Sequence, residues 1–492
     1  ENPAFGQVTT QPLTFIKGDQ QIFSILGRFN YAWDNQLIMT ATFRRDGVSK
    51  FAQNNKYGFF PSVALAWQVD QSGLLDNIPL DELKIRMGWG QIGNHGIGSY
   101  GTLSNYGVSS NLYGNASGGT NVPIALQNVA NPDLTWETTE QLNSGFDFVS
   151  TNDFISGSLD IYTKTTKDLL QRSNIPTSSG FQSILVNKGE IKNTGVELAL
   201  DFNIISAEDF NFSVGGNIAW NKTEITNLES QALEDFYVDG IAEPRRFYFG
   251  DNISRGNIFK YPANVFVEGE ETSMFYGLET DGIYQSDDVL PEVFGSAAVP
   301  GDVKIVDQNG DGIIDLKDRT FIGNPNPDYV YGFNLNFNYK RFNARVLFNG
   351  VYGNDIANGN LLQLDNAEGL IYLNISPDAY YNAWRPDAET NVYPRIGYTT
   401  NGQPAMTDRI IEDGSYLRLS NLTVSYDFDV DKIRSISNLK MFVAGQNLFT
   451  LTDYSGYDPE ISSFLYNGLI NGVDWNGRAN ARTFVLGLNI GF

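Results

Sequence analysis

The sequence predicts an all-β fold, a transmembrane antiparallel β-barrel. Three observations predict it: long segments in strict two-residue alternation, a composition of strand and turn formers, and links that alternate short and long. The 492 residues include 25 Tyr, 33 Phe and 49 Gly, with aromatics at 13%. Mean hydropathy is −0.26, too polar for helices in lipid, and no run of about 18 apolar residues is present to make a transmembrane helix. A barrel hides its membrane signal because only every second residue must be apolar, so the low hydropathy is no objection.

The expected strands are 20–33, 36–46, 58–70, 82–92, 134–149, 154–167, 191–204, 210–224, 328–340, 344–354, 415–429, 437–449 and 480–492. Alternation places one residue set on each face of a strand. Val196, Leu198, Leu200, Phe202 and Ile204 alternate with Glu197, Ala199, Asp201 and Asn203. Phe210, Phe212, Val214, Gly216, Ile218 and Trp220 alternate with Asn211, Ser213, Gly215 and Asn217. Tyr331, Phe333, Leu335, Phe337 and Tyr339 face away from Gly332, Asn334, Asn336 and Asn338, and Leu422, Val424, Tyr426 and Phe428 from Thr423, Ser425 and Asp427. A soluble sandwich also alternates, but faces of Asn, Ser, Thr and Gly on strands this long suit a watery lumen. The last segment puts Phe484, Leu486, Leu488, Ile490 and Phe492 on one face and ends on an aromatic, like the recognition signal of outer-membrane barrel assembly. Trp33, Trp67, Trp89, Trp136 and Trp220 fall toward strand ends, where aromatic girdles are expected and core packing is the alternative.

Short links at 34–35, 71–81, 150–153, 205–209, 341–343 and 430–436 alternate with long ones at 93–133, 168–190, 225–327, 355–414 and 450–479, with 47–57 a shorter outer loop. Short turns belong to the periplasmic side and long loops to the outer side. With a periplasmic C-terminus, parity then requires an odd number of strands upstream, because single-chain bacterial barrels are even-numbered. The opening ENPAF carries no initiator Met, basic n-region or apolar h-region. A mature, processed or partial chain is the expectation.

Several chemistries fall away. No cysteine is present, which removes disulfides, thiolate metal sites and a Cys nucleophile. A net charge of −24 argues against nucleic acid as a partner. The single histidine, His95, reads as a loop side chain and leaves a Ser-His-Asp triad without support. Gly88, Gly90 and Gly93 satisfy a dinucleotide fingerprint literally, but the following NHGIGSYG cannot make the helix that holds a pyrophosphate. Glu268, Glu270, Glu271, Asp287 and Asp288 read as a solvated loop rather than as acid/base machinery. Tyr106, Tyr113, Tyr380, Tyr381 and Trp384 on outer loops could stack on sugars, with loop packing the simpler reading for any one. No catalytic site is expected.

One local motif is sharp. Counted from Asp307, oxygen-bearing side chains fall at positions 1, 3 and 5, namely Asp307, Asn309 and Asp311. Gly312 takes the sharp turn at 6, Ile313 offers its carbonyl at 7, Asp315 stands at 9 and Asp318 at 12. This is the ligand order of an EF-hand loop, with Asp in place of the final bidentate Glu. A Ca2+ ion in 307–318 would brace the long outer loop 225–327; a solvated Asp/Asn/Gly turn is the alternative.

FRRDGVSKFAQNNKYGFFPSVALAW (43–67), LKIRMGWGQIGN (83–94), NPDLTWETTEQLNSGFDF (131–148), DGIIDLKDRTFIGNPNPDYVYGFNLNFNYK (311–340), EDGSYLRLSNLTVSY (412–426) and GQNLFTLTDYSGYDPE (445–460) resemble the SusC-like (SusC/RagA) branch of TonB-dependent transporters, in family order along nearly the whole chain. The resemblance implies that residues 1–492 are the C-terminal part of a 22-stranded barrel; subtracting about thirteen strands leaves about nine upstream, an odd number as parity requires. It implies a SusD-like surface lipoprotein as lid, a plug domain not recognisable in this chain, and energising by the TonB–ExbB–ExbD complex through that plug. It further implies import of an oligosaccharide or, less often, a peptide. A passive porin and a structural scaffold of an outer-membrane assembly are the competing readings.

Overall fold

The computed structural model describes residues 20–492, apart from 75–77, 109–112, 115–119, 122–123, 230, 254–260, 366–373, 399–405, 431–434 and 465–466. Thirteen strands form one antiparallel sheet: β1 (Ile22–Trp33), β2 (Leu37–Val48), β3 (Tyr57–Gln68), β4 (Leu80–Asn94), β5 (Glu137–Ser150), β6 (Ile155–Lys167), β7 (Glu190–Ser206), β8 (Phe210–Asn227), β9 (Tyr329–Tyr339), β10 (Phe342–Tyr352), β11 (Tyr416–Asp427), β12 (Asn438–Thr452) and β13 (Thr483–Gly491). Each pairs with its sequence neighbour, in the order β1 to β13. Among the described residues no helix is long and apolar enough to cross a membrane.

Register shows why the alternation matters. One row across β1 to β8 runs Tyr31, Met39, Leu65, Met87, Ser144, Ile161, Val196, Trp220. The row on the opposite face runs Arg28, Thr42, Ser62, Gly90, Gln141, Lys164, Asn193, Thr223. Farther along, Phe333 lies opposite Phe348 with their rings stacked 4.6 Å apart, and Val443 sits between Val424 and Leu486. Ile25, Phe29, Leu65, Met87, Leu142, Val443 and Leu486 are exposed. A continuous apolar belt backed by a hydrophilic face is what lipid on one side and a lumen on the other demand.

Links of 34–36, 69–79, 151–154, 207–209, 340–341 and 428–437 lie at one end of the strands, and the long links at the other. The first short turn places Asp34 and Asn35 at φ 50° and 52°, a left-handed pair that matches the twist of a tight hairpin.

The hydrophobic cores lie at the long-link end, because a barrel wall has lipid and lumen rather than a partner layer. Ile253, Phe275, Leu362, Met406, Ile470 and Trp475 come together from links 228–328, 353–415 and 453–482. Val48, Phe51, Phe60, Ile97, Leu134 and Trp136 make a second cluster. This second cluster decides Trp136 for core packing and trims one expected strand. Trp136 packs against Phe51, Phe60 and His95 instead of joining a girdle, and β5 starts at Glu137 because Leu134 and Trp136 are drawn into that core. Trp33 and Trp67, both opposite Leu37, do lie at the short-link end and are exposed. Trp89 is within β4, its Nε1 donating to Glu140.

Candidate functional site

The described residues of the 228–328 link form a folded body. Leu233–Val238, Ile241–Phe249, Asn264–Val267, Met274–Leu278 and Arg319–Gly323 form a five-stranded sheet. The turn 307–318 hangs from its last strand. Gly310 and Gly312 adopt φ 72° and 80°, the left-handed conformation a sharp loop needs. Asp307 accepts from the amides of Gly310 and Gly312 at 2.8 and 2.7 Å, Asn309 from that of Asp311, and Asp311 from that of Ile313. Asp315 accepts from the Lys317 amide. Asp318, fully buried, closes the turn by accepting from the amides of Gln308 at 3.1 Å and Asp315 at 2.8 Å. Burial pushes its pKa up. Ile314 fills a small core with Leu278 and Ile305.

All six motif residues thus lie in one turn, in the order read from the sequence, with Gly310 and Gly312 at its sharp bends. Their side-chain directions are those of backbone caps, and among the described residues no three carboxylates stand within reach of one ion. To hold calcium, Asp307, Asp311 and Asp315 must swing from backbone amides toward a common point.

A second feature of the long-link end was not singled out by sequence. Asp355–Asn358 pairs with Ile411–Asp413 and with Val473–Asp474. On this small sheet sits a cavity of about 480 Å³, lined by Asn358, Asn360, Leu361, Leu364, Ser455, Gly456, Tyr457, Asn476 and Gly477. Among the described residues no lining side chain is charged. Carboxylates behind the wall are engaged internally: Glu412 accepts from the Ser455 amide and hydroxyl at 2.9 and 2.7 Å, and Asp474 from the Tyr454 hydroxyl at 2.7 Å and the Gly477 amide at 3.0 Å. Burial, then the Asp474 carboxylate, raises the Tyr454 pKa far above the ordinary phenol value, so the hydroxyl stays protonated. Only a scattered signal existed in sequence, amides and small residues split between two links some hundred residues apart.

An ion-pair cluster lies on the lumen face. Arg86 donates to Asp147 at 2.8 Å and to Asp160 at 3.0 Å. A groove of about 590 Å³ beside them is lined by Gln141, Asn143, Lys164, Asn193, Glu197 and Thr223 among others.

The remaining sequence candidates resolve as structure. Gly88, Gly90 and Gly93 lie inside β4. Glu268 and Glu270 pair with Arg246 and Arg245 within the link, and Glu271 pairs with Lys222 of β8, so the three are engaged rather than free in solvent. Asp288 accepts from the Gln285 amide. Trp384 is buried, its Nε1 donating to Gln285, so it packs and does not stack on ligand. Tyr106, Tyr380 and Tyr381 are exposed; the Tyr113 side chain lies outside the described residues. His95 stands edge-on to Trp136 with a buried Nδ1 that has no hydrogen-bond partner among the described residues.

The family model described as TonB dependent receptor-like, beta-barrel, matches residues 1–448. TonB-dependent receptor P3 of Formosa agariphila is 33% identical over 499 residues, covering 99% of the chain and 47% of that protein. TonB-dependent receptor SusC of Bacteroides thetaiotaomicron is 31% identical, covering 96% of the chain and 44% of that protein. The solved structure of the RagAB peptide transporter superposes with a TM-score of 0.77 at 25% identity, over 99% of the chain and 50% of its own. The chain spans about half the length of the curated relatives it matches.

Proposed function

The chain belongs to the TonB-dependent receptor-like β-barrel family of outer-membrane proteins, and from that premise we propose that it is the C-terminal share of the barrel of a SusC-type active nutrient importer. The single observation that carries this reading is the pairing of rows: lipid-facing Tyr31 to Trp220 backed by the polar lumen row Arg28 to Thr223. A wall that is hydrophilic inside provides a conduit for a polar solute, and the folded body at the long-link end provides somewhere to capture it. The long links face outward. Strands outside this sequence complete the wall, a plug region outside it couples to the TonB–ExbB–ExbD complex, and a SusD-like lipoprotein covers the mouth. An oligosaccharide is the favoured cargo over a peptide, a preference supported by the uncharged cavity at Tyr457.

We also propose a structural calcium ion in 307–318. Asp307, Asn309, Asp311, Asp315 and Asp318 would hold it with the Ile313 carbonyl, and the ion would supply the positive charge that buried Asp318 lacks.

The test is uptake of labelled oligosaccharide and peptide pools by cells carrying the full-length protein, with and without a functional TonB complex. Active import predicts saccharide uptake that collapses when energising is removed. A passive porin predicts uptake that persists, and a scaffold predicts unchanged uptake on deletion with loss of envelope assembly.

A further inference from the structure

Resting on the import reading, we propose that the cavity between 358–364, 455–457 and 476–477 is a subsite for one neutral sugar unit, stacked on Tyr457. Its volume lies within the ~300–1,000 Å³ of small-ligand sites. Its chemistry selects among ligands. In a chain of net charge −24, the lining is uncharged among the described residues, and Glu412 and Asp474 behind it are hydrogen-bonded to Ser455, Tyr454 and Gly477. A peptide's carboxylate terminus or acidic side chains meet no cation here and have two carboxylates behind the wall. A sugar ring offers one face of C–H groups and a rim of hydroxyls, which need an aromatic plane and neutral amides. Tyr457, 81% exposed, supplies the plane, with Leu364 as an apolar neighbour. Asn476 lines the cavity with a carboxamide.

The floor is rigid. Asn358, 2% exposed, donates to Glu412 and Ser455 and accepts from Asn360, while the Asn360 side-chain carbonyl accepts from the Asn476 amide at 2.8 Å. These bonds join both links into one surface over the core that holds Leu362 and Trp475. A preorganised floor lets a single ring contact count, because little is lost in ordering the site on binding.

The test uses the full-length transporter, purified in detergent, and calorimetric titration with neutral hexasaccharides of α- and β-linked glucose and of β-linked xylose, with an uncharged hexapeptide alongside. Tyr457→Ala is expected to weaken saccharide binding about three- to tenfold, the size of one aromatic contact, while Tyr457→Phe keeps it. Asn476→Gly, which suits the φ of 56° there, is expected to weaken binding without loss of fold. Wild-type saccharide affinity in Tyr457→Ala overturns the subsite and leaves saccharide import standing. Binding of the peptide with no saccharide bound overturns both.

Discussion

Arg418 on β11 donates through Nη2 to Asp458 at 2.6 Å, and both side chains are about 95% buried. The same guanidinium donates to Glu460 and, through Nε, to Thr450 at 2.9 Å. Glu460 also accepts from Tyr416 and Asn349, so the 453–482 link is anchored to the barrel wall around Arg418. Removing a partner from a buried ion pair strands the other charge. Asp458→Ala is expected to lower stability by about 2–4 kcal/mol, less than full stranding because Glu460 remains. Urea unfolding in detergent reads this, and limited proteolysis should show early cutting at 453–482. An unchanged midpoint and cutting pattern would refute the anchor.

Phe333 and Asn143 test which face meets lipid. Phe333 lies mid-strand in β9, stacked on Phe348, whereas Asn143 lines the lumen grooves. Phe333→Arg is expected to cost about 2–4 kcal/mol at the bilayer midplane. Asn143→Lys, beside Asp160 and facing water, should cost little. Folding yield into lipid vesicles separates them; equal yields would mean the faces are misassigned.

The strand array was legible because a barrel writes its two environments into every second residue, as in Tyr331 to Tyr339. The failures have local causes. Leu134 and Trp136 continue a strand-like pattern, yet core packing with Phe51 and Phe60 takes them. The sheet within 228–328 stayed hidden because Asn264–Val267 is buried on both faces and does not alternate. Its Asn264 side chain bonds Asn471, 207 residues away, a separation no local pattern encodes. The calcium motif was legible as order but not as geometry, since spacing cannot tell a carboxylate aimed at an ion from one capping an amide. The Tyr457 cavity could not be read, because its walls meet only in three dimensions.

Calcium is expected to raise the melting temperature of the full-length protein relative to excess chelator, with affinity of about 10⁻⁴–10⁻³ M, as for extracellular modules. Asp307→Ala with Asp311→Ala should abolish the increment. The pH sign separates ion from turn. Without calcium, Asp318 has a folded pKa above its unfolded one, so the native state binds the extra proton and gains stability as pH falls through that window. With calcium, the ligands must be deprotonated, so acidification should remove the increment. Identical melting curves with and without the ion, across that window, would end the calcium proposal.

Gly240 joins the hairpin to the turn below it. Asp239 and Gly240 form the two-residue link between Leu233–Val238 and Ile241–Phe249, at φ 49° and 74°, the doubly left-handed turn that favours Asp-Gly. A Cβ on Gly240 would stand 2.4 Å from the Gln308 carbonyl oxygen and 2.6 Å from the Asn309 nitrogen. Those atoms are backbone at the start of 307–318, whose amides are fixed by Asp318. Gly240→Ala therefore adds left-handed strain of about 1 kcal/mol to an overlap that only movement of the turn can relieve. The expected result is local destabilisation: faster amide exchange at 308–318 and at Leu233–Val238, with barrel strands unchanged. Gly269→Ala is the control, since its φ of 91° carries strain but its added Cβ meets nothing within 4 Å. Equal exchange at 308–318 in the two variants would mean that the hairpin does not press on the turn.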